Sequence, residues 1–331
     1  MKTQALLLSC GALAIACAGH AIDLDHNDSP QSVPTSSSND AGAGDVVLLD
    51  RSKNLLASFV ASDGTRLYWL DIQGELQSCV EPACDGIVTY TRVGAYLGIG
   101  FVAAGGHIYW ADVDGSIYSC PSSGCAGAPT KVVDDPTLAA TVVPLSADGD
   151  YVYWPSARDL YRCFAAGCGP TPEVVAHGES GKPAFAGTNA YWLATVDGVR
   201  AIRNAPKDGS APAQTFLSGN FTSIATTAED IFWLDSSNHV LRCPLTGCDT
   251  PALVDDSTGE KDALQFDELG LYWLEGYLDM GEIHYCPFSG CSSGSELLAP
   301  THVQSFAVDS TYLYWVETRS GGGGLVHRRP K

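Results

Sequence analysis

Positive charge is scarce in this sequence: 18 Lys and Arg stand against 38 Asp and Glu, a formal charge of −20 over 331 residues. A surface of that sign repels a phosphate backbone, which excludes nucleic acid as a partner, and it matches anionic lipid headgroups poorly. Its plain use is solubility; its specific use would be attraction of a basic partner or Ca²⁺. Long apolar runs are also missing. The one apolar stretch, Ala5 to Ala16 behind Lys2, is too short for a membrane span, which needs roughly 20 residues. The signatures of common catalysts are absent too. No H-E-x-x-H, G-x-S-x-G, P-loop or dinucleotide fingerprint occurs, and the eight histidines are scattered. Catalytic residues are therefore unknown at this level, and neither a cofactor nor a metal site is expected.

The short apolar run behind a basic start has the form of an export signal. It ends in Ala14-Ile15-Ala16-Cys17, which resembles a bacterial lipobox and marks Cys17 for lipidation. Ordinary signal-peptidase cleavage after Ala18 or Ala21 is the alternative, giving a freely secreted protein. A lipidated Cys17 would be the only membrane attachment, each buried CH₂ contributing about 0.8 kcal/mol. Residues 18–45 are Ser, Asp, Asn, Pro, Gly and Ala with almost no large apolar side chains. Such a stretch cannot bury a core, so it is expected to be a disordered tether spanning roughly 30 Å.

The remainder, 46–331, is repetitive. Each of the seven Trp follows a Tyr or Phe: Tyr68-Trp69, Tyr109-Trp110, Tyr153-Trp154, Tyr191-Trp192, Phe232-Trp233, Tyr272-Trp273 and Tyr314-Trp315. The Trp spacings are 41, 44, 38, 41, 40 and 42 residues, which is the period of propeller blades. Every unit divides into four short strands. A turn such as Ser62-Asp63-Gly64 precedes the strand that carries the aromatic pair, a third strand follows, and a short aliphatic one such as Lys131-Val132-Val133 ends the unit. The expected fold is all-β, a seven-bladed propeller of four-stranded antiparallel blades. The seventh unit stops after a third strand near Leu325 to Arg328, and Val46-Val47-Leu48-Leu49 precedes the first unit as a spare fourth strand. Pairing the two would close the ring and hide both open edges.

Ten of the 12 cysteines form five pairs at one spacing, C-x4-C: Cys79/Cys84, Cys120/Cys125, Cys163/Cys168, Cys243/Cys248 and Cys286/Cys291. Three pairs enclose Pro-x-x-Gly, a sequence that turns the chain back on itself. The fourth unit has Ala205-Pro206-Lys207-Asp208-Gly209-Ser210 there and lacks both cysteines, as a bonded pair would be lost together. Five local disulfides in an oxidising compartment are expected. A structural zinc site would need four ligands, and each separated pair would supply half of that.

The units resemble the YWTD repeats of low-density lipoprotein receptor-type propellers. Ile108-Tyr109-Trp110-Ala111-Asp112, Leu67 to Asp71 and Ile231 to Asp235 carry the likeness; Glu275 and Glu317 replace the Asp in units six and seven, and Ser156 and Ala194 in units three and four. The resemblance implies that these acids make structural hydrogen bonds between blades. That family has six blades and no such Cys pairs, so the overall plan looks more like a bacterial propeller lipoprotein.

Function on such a scaffold sits on loops. Units six and seven are longest between the second and third strands, at Gly276-Tyr277-Leu278-Asp279-Met280-Gly281 and Thr318-Arg319-Ser320-Gly321-Gly322-Gly323-Gly324. Tyr277, Asp279 and Arg319 are the candidate binding residues, two of them types favoured at interface hot spots. Asp112-Val113-Asp114-Gly115 begins like a calcium loop but lacks the later ligands. The expectation is a monomeric, non-enzymatic envelope or cell-surface protein that binds a protein or glycan and sits on the outer membrane or is secreted. The alternative is a propeller hydrolase or lyase with its site in the central channel.

Overall fold

The computed structural model describes residues 45–331 apart from 50–56, 72–73, 93–99, 113, 135–143, 157, 166, 169–170, 179–180, 258, 277–280, 292–293 and 319–323. Cys17 and the expected tether up to residue 44 lie outside the described residues. Every regular element among those described is a strand, and no helix there is long and apolar enough to cross a membrane.

The strands form seven antiparallel meanders. Blade one comprises Ala57–Ser62, Arg66–Asp71, Glu75–Val80 and Asp85–Arg92. Blades two to five follow as separate four-stranded sheets, beginning at Phe101, Ser146, Ala184 and Phe221. Blade six runs from Lys261–Phe266 through Gly270–Glu275 and Gly281–Pro287 into Glu296–Val308. That last strand serves two blades: 296–299 is the outer strand of blade six, and 303–308 is the inner strand of blade seven. Blade seven continues with Tyr312–Thr318 and Gly324–Pro330, and Val46–Leu49 completes it. Val46 pairs with Arg328, Val47 with His327 and Leu49 with Val326, so the N-terminal strand closes the ring as the sequence predicts. The Arg329 guanidinium donates to both oxygens of Asp45 at the head of that strand.

The aromatic dipeptide explains why the ring holds together. A strand points successive side chains to opposite faces, so Tyr and Trp of one blade face different neighbours. Trp69 packs with Tyr314 and Val326 of blade seven, whereas Tyr68 packs with Ile108 and Trp110 of blade two. The same division recurs at every junction, and the seven core clusters are the seven interfaces between blades. All seven Trp are buried, none more than 4% exposed. Because the core is made only between blades, no blade has a core of its own.

Each outer strand carries a β-bulge, an extra residue that breaks the pairing register. The bulged residues are Tyr90, Val132, Val175, Phe216, Val254, Leu298 and Leu48. All seven side chains turn into the interface with the following blade.

Candidate functional site

The connections divide between two faces of the ring. Loops from the second to the third strand, and the links from one blade to the next, lie on one face. The first-to-second turns and the third-to-fourth loops lie on the other.

On the first face, the acids of the YWTD-like pattern act differently from the resemblance. Asp235 accepts from the backbone of Ser237 at 2.7 Å and His239 at 2.9 Å, and its second oxygen faces His239 Nδ1 at 3.3 Å. Asp71 accepts from Glu75 N at 2.7 Å. They cap their own hairpins, because a short turn leaves backbone N–H groups that a carboxylate two to four residues earlier can reach. Glu275 joins a network that reaches a neighbouring blade through Lys261. It accepts from Trp273 Nε1 at 3.2 Å and lies 4.0 Å from Lys261, which is 3.2 Å from Asp255 of blade five. The fully buried Lys261 ammonium also donates to the carbonyls of Asn238 and Ser257 at 2.9 and 2.5 Å. Its charge is thus compensated and hydrogen-bonded, as a buried ion must be, and blades five and six are locked together on this face.

Beside that lock lies the inner rim. Asp262 is the second residue of the inner strand of blade six and Lys182 precedes that of blade four; both reach solvent. The blades around Lys182 desolvate its ammonium and lower its pKa, while Asp262 pulls it up. Blades four and six are not adjacent, so the coupling of these two charges is one between remote blades. Tyr277, Asp279 and Arg319 lie outside the described residues. The strand ends that flank them, Glu275 and Gly281 in blade six and Thr318 and Gly324 in blade seven, lie on this face.

The opposite face carries the cysteines. All five pairs are bridged, Cys79 to Cys84, Cys120 to Cys125, Cys163 to Cys168, Cys243 to Cys248 and Cys286 to Cys291, with Cα–Cα separations of 4.8 to 5.6 Å. The two halves of a bridge differ in setting. The first cysteine lies on the third strand and is buried in every pair. The second lies where the loop returns: Cys84 is buried against blade seven, and Cys168 borders a cleft beside blade two. Cys125, Cys248 and Cys291 are bridged as their spacing predicts. They are only half-buried and pack on the edge of their blade interfaces. Their sulfurs are consumed in the bridges, so these three staple loops and offer nothing to a ligand.

Each bridge closes a third-to-fourth loop, and most of these loops receive a hydrogen bond from the preceding blade. Tyr90 donates to Ser122 O at 2.5 Å, Arg242 to Phe288 O at 2.6 Å, Tyr109 to Ala165 O and Arg328 to Pro82 O. Burial pushes the Tyr109 hydroxyl up to about 12, so it stays a donor. Cys79, Glu81 and Cys84 cluster tightly, but the two sulfurs are bonded to each other and Glu81 pairs with Arg328 at 2.6 Å. In the calcium-like turn, Asp114 accepts from Ser116 N at 2.8 Å and Tyr118 OH at 3.1 Å and lies 3.9 Å from Lys131. Those bonds are what an Asp in a tight turn makes without an ion.

Between blades two and three this face opens into a cleft of about 260 Å³, lined by residues that include His107, Ser119, Lys131, Val132 and Ala165. No sequence motif marks it. The available signal was positional: aligned by strand register, blade two is small where the other blades are large.

No family model matches the chain, and none of the curated proteins matches it in sequence. Solved structures match it in shape. A chain of the nidogen/laminin complex aligns at 14% identity and TM-score 0.52, over 74% of this chain and 98% of that one. PorZ, a bacterial surface component of the type-IX secretion system of Porphyromonas gingivalis, aligns at 14% identity and TM-score 0.58, over 87% of this chain but only 39% of PorZ. The WD40 β-propeller domain of Doa1 aligns at 9% identity and TM-score 0.57, over 83% and 92%. The chain is a β-propeller. Identities this low show the fold alone.

Proposed function

We propose that the protein is an exported, non-enzymatic propeller that holds a protein partner on the face bearing Tyr277, Asp279 and Arg319. Lipidation at Cys17 would anchor it to a membrane, with residues 18–45 as the tether. One observation carries this reading: on this face the second-to-third-strand connections of units six and seven, 276–281 and 318–324, are the longest of their kind, and the exposed charges Lys182 and Asp262 stand on the same face. The disulfides support export, because bonds of this number persist only in oxidising compartments. PorZ is a bacterial surface component and the nidogen/laminin match comes from a protein complex, which agrees with a surface binding role.

The experiment is capture from envelope extracts by the disulfide-intact chain, side by side with Tyr277→Ala, Asp279→Ala, Arg319→Ala and Lys182→Glu. One reproducible partner lost in the variants supports the face; a partner retained by all four moves the site elsewhere. Intact mass of the mature protein tests the anchor, since a first residue other than Cys17 ends that part of the proposal. The hydrolase or lyase alternative has one observation in its favour, the channel lysine whose pKa is lowered by desolvation.

A further inference from the structure

The cleft between blades two and three has a structural cause. At each interface two side chains do the filling: the third-strand residue opposite the Tyr (or Phe) of the aromatic pair, and the bulged residue of the fourth strand. In blade one they are Ser78 and Tyr90. In blades three to seven they are Arg162 and Val175, Asn204 and Phe216, Arg242 and Val254, Tyr285 and Leu298, and Arg328 and Leu48. Each of those pairs contains an Arg, a Tyr or a Phe. Blade two alone has two small residues, Ser119 and Val132, and the cleft opens there.

Blade one shows what fits beside a serine at this position. The Tyr90 hydroxyl is 2.7 Å from Ser78 Oγ and donates to Ser122 O of the next blade at 2.5 Å. Blade two keeps both polar partners of that phenol. Ser119 is the counterpart of Ser78, and Ala165, two residues after its cysteine, is the counterpart of Ser122. The phenol itself is missing, because Val132 stands where Tyr90 would be. Ser119 is only 7% exposed and lines the cleft. The Ala165 carbonyl accepts from Tyr109 and keeps its second lone pair. Arginine fills this position in three other blades, but Lys131 at the rim of this cleft disfavours a second cation. The volume, just under the roughly 300 Å³ at which drug-sized pockets begin, suits one ring.

We propose that this cleft is a binding site for a phenol group, which takes the place that Tyr90 occupies in blade one and bonds to Ser119 Oγ and Ala165 O. The phenol is that of a small phenolic compound or of a tyrosine side chain. The site lies on the face opposite the proposed partner surface and stands independently of it.

The test titrates p-cresol, N-acetyltyrosinamide and toluene into the full chain with its disulfides intact, read by ligand-observed NMR. Saturable binding of p-cresol is expected, with toluene about fivefold weaker for want of the hydroxyl. Comparable binding of N-acetyltyrosinamide assigns the site to a tyrosine side chain, and binding of p-cresol alone assigns it to a free phenolic. Val132→Tyr should abolish binding while the Trp fluorescence and thermal midpoint stay native-like, because blade one already accommodates this arrangement. Should that variant fail to fold, Ser119→Ala serves, and it should erase the difference between p-cresol and toluene. Absence of saturable p-cresol binding, equal binding of toluene to the unaltered protein, or binding that survives Val132→Tyr would overturn the proposal.

Discussion

Blades four and seven lack the cysteine pair that the other five blades carry, and they replace it in the same way. Where the five have a bridged loop, these two have Pro-Lys: Pro206-Lys207 and Pro330-Lys331. In strand register each lysine stands two residues after the position of the first cysteine. Its backbone N–H bonds to the first-to-second turn of its own blade, Lys207 to Thr188 at 2.9 Å and Lys331 to Thr311 at 3.2 Å, as Ser122 and Leu245 do in bridged blades. Its ammonium then pairs with an aspartate of the preceding blade, Lys207 with Asp148 and Lys331 with Asp267. In bridged blades the loop mostly accepts a bond from the preceding blade; in these two it reaches back and donates one. The junction is kept while its chemistry changes from a covalent staple with a carbonyl acceptor to an ion pair. What the architecture requires is therefore a pinned end to the third strand, whether a loop follows it or not.

That comparison can be broken at several points. The largest effect is expected from the staples. Replacing a cysteine pair by serines should cost about 2 kcal/mol, and replacing all five should remove most of the 5–15 kcal/mol that an ordinary domain possesses. Denaturant midpoints in series would show the decline; a flat series would mean the loops are held by packing alone. Next comes Gly209, which closes the blade-four loop at φ +68 with Val174 O only 2.4 Å from where a Cβ would sit. Gly209→Ala should cost about 2–3 kcal/mol, from strained backbone and an overlap with main chain that cannot move aside.

The lysine clasps should be weaker. Lys207→Ala is expected to cost about 1 kcal/mol, with the loss shrinking as salt is added. Adding Ala205→Cys and Ser210→Cys, which recreates the spacing of the other blades, should recover it under oxidising conditions only. Recovery under reducing conditions would show that the bridge and the clasp are not equivalent.

The smallest effect concerns pH. Burial opposes ionisation of Asp267, but Lys331 and the backbone N–H groups of Leu269 and Gly270 outweigh it, and its pKa is lowered. A carboxylate with a lowered pKa in the folded state contributes stability that is full above its unfolded value of about 3.9 and fades as pH falls through the folded one. Unfolding midpoints should therefore drop below about pH 4, and Lys331→Ala should flatten that dependence. Asp63 and Asp309 are lowered by their own turns and should keep theirs, so a variant as steep as the parent would remove Asp267 from the account.

The fold was legible because its signals are local and repeated. Each Tyr-Trp pair marks a strand whose two faces are both buried, and seven of them at one period leave little else to build. The ring closure was legible from an imbalance, a missing fourth strand at one end and a spare one at the other. The cysteine spacing announced loops short enough to bridge, though not that Cys125, Cys248 and Cys291 would stay half-buried while their partners sink into the interfaces. The site was far less legible. Lys182 and Asp262 are unremarkable in sequence, 80 residues apart, and influence each other only because the ring brings alternate blades near one another. Lys261 reads as an ordinary surface lysine and is instead wholly buried between Asp255 and Glu275. The YWTD-like acids were expected to link blades, but Asp235 caps its own hairpin because the backbone donors nearest to it belong to its own turn.

By itself the sequence determined the strand pattern, the number of blades, the closing strand and the disulfide partners, since all of these depend on spacing along the chain. Only the tertiary structure decided which side chains fill each interface, where one interface is left unfilled, and which charges face one another across the axis. Those outcomes depend on volumes and distances between strands that are remote in sequence. A small Ser119 and a small Val132 mean nothing separately; they make a cleft because a β-bulge turns Val132 toward the same neighbouring blade that Ser119 faces.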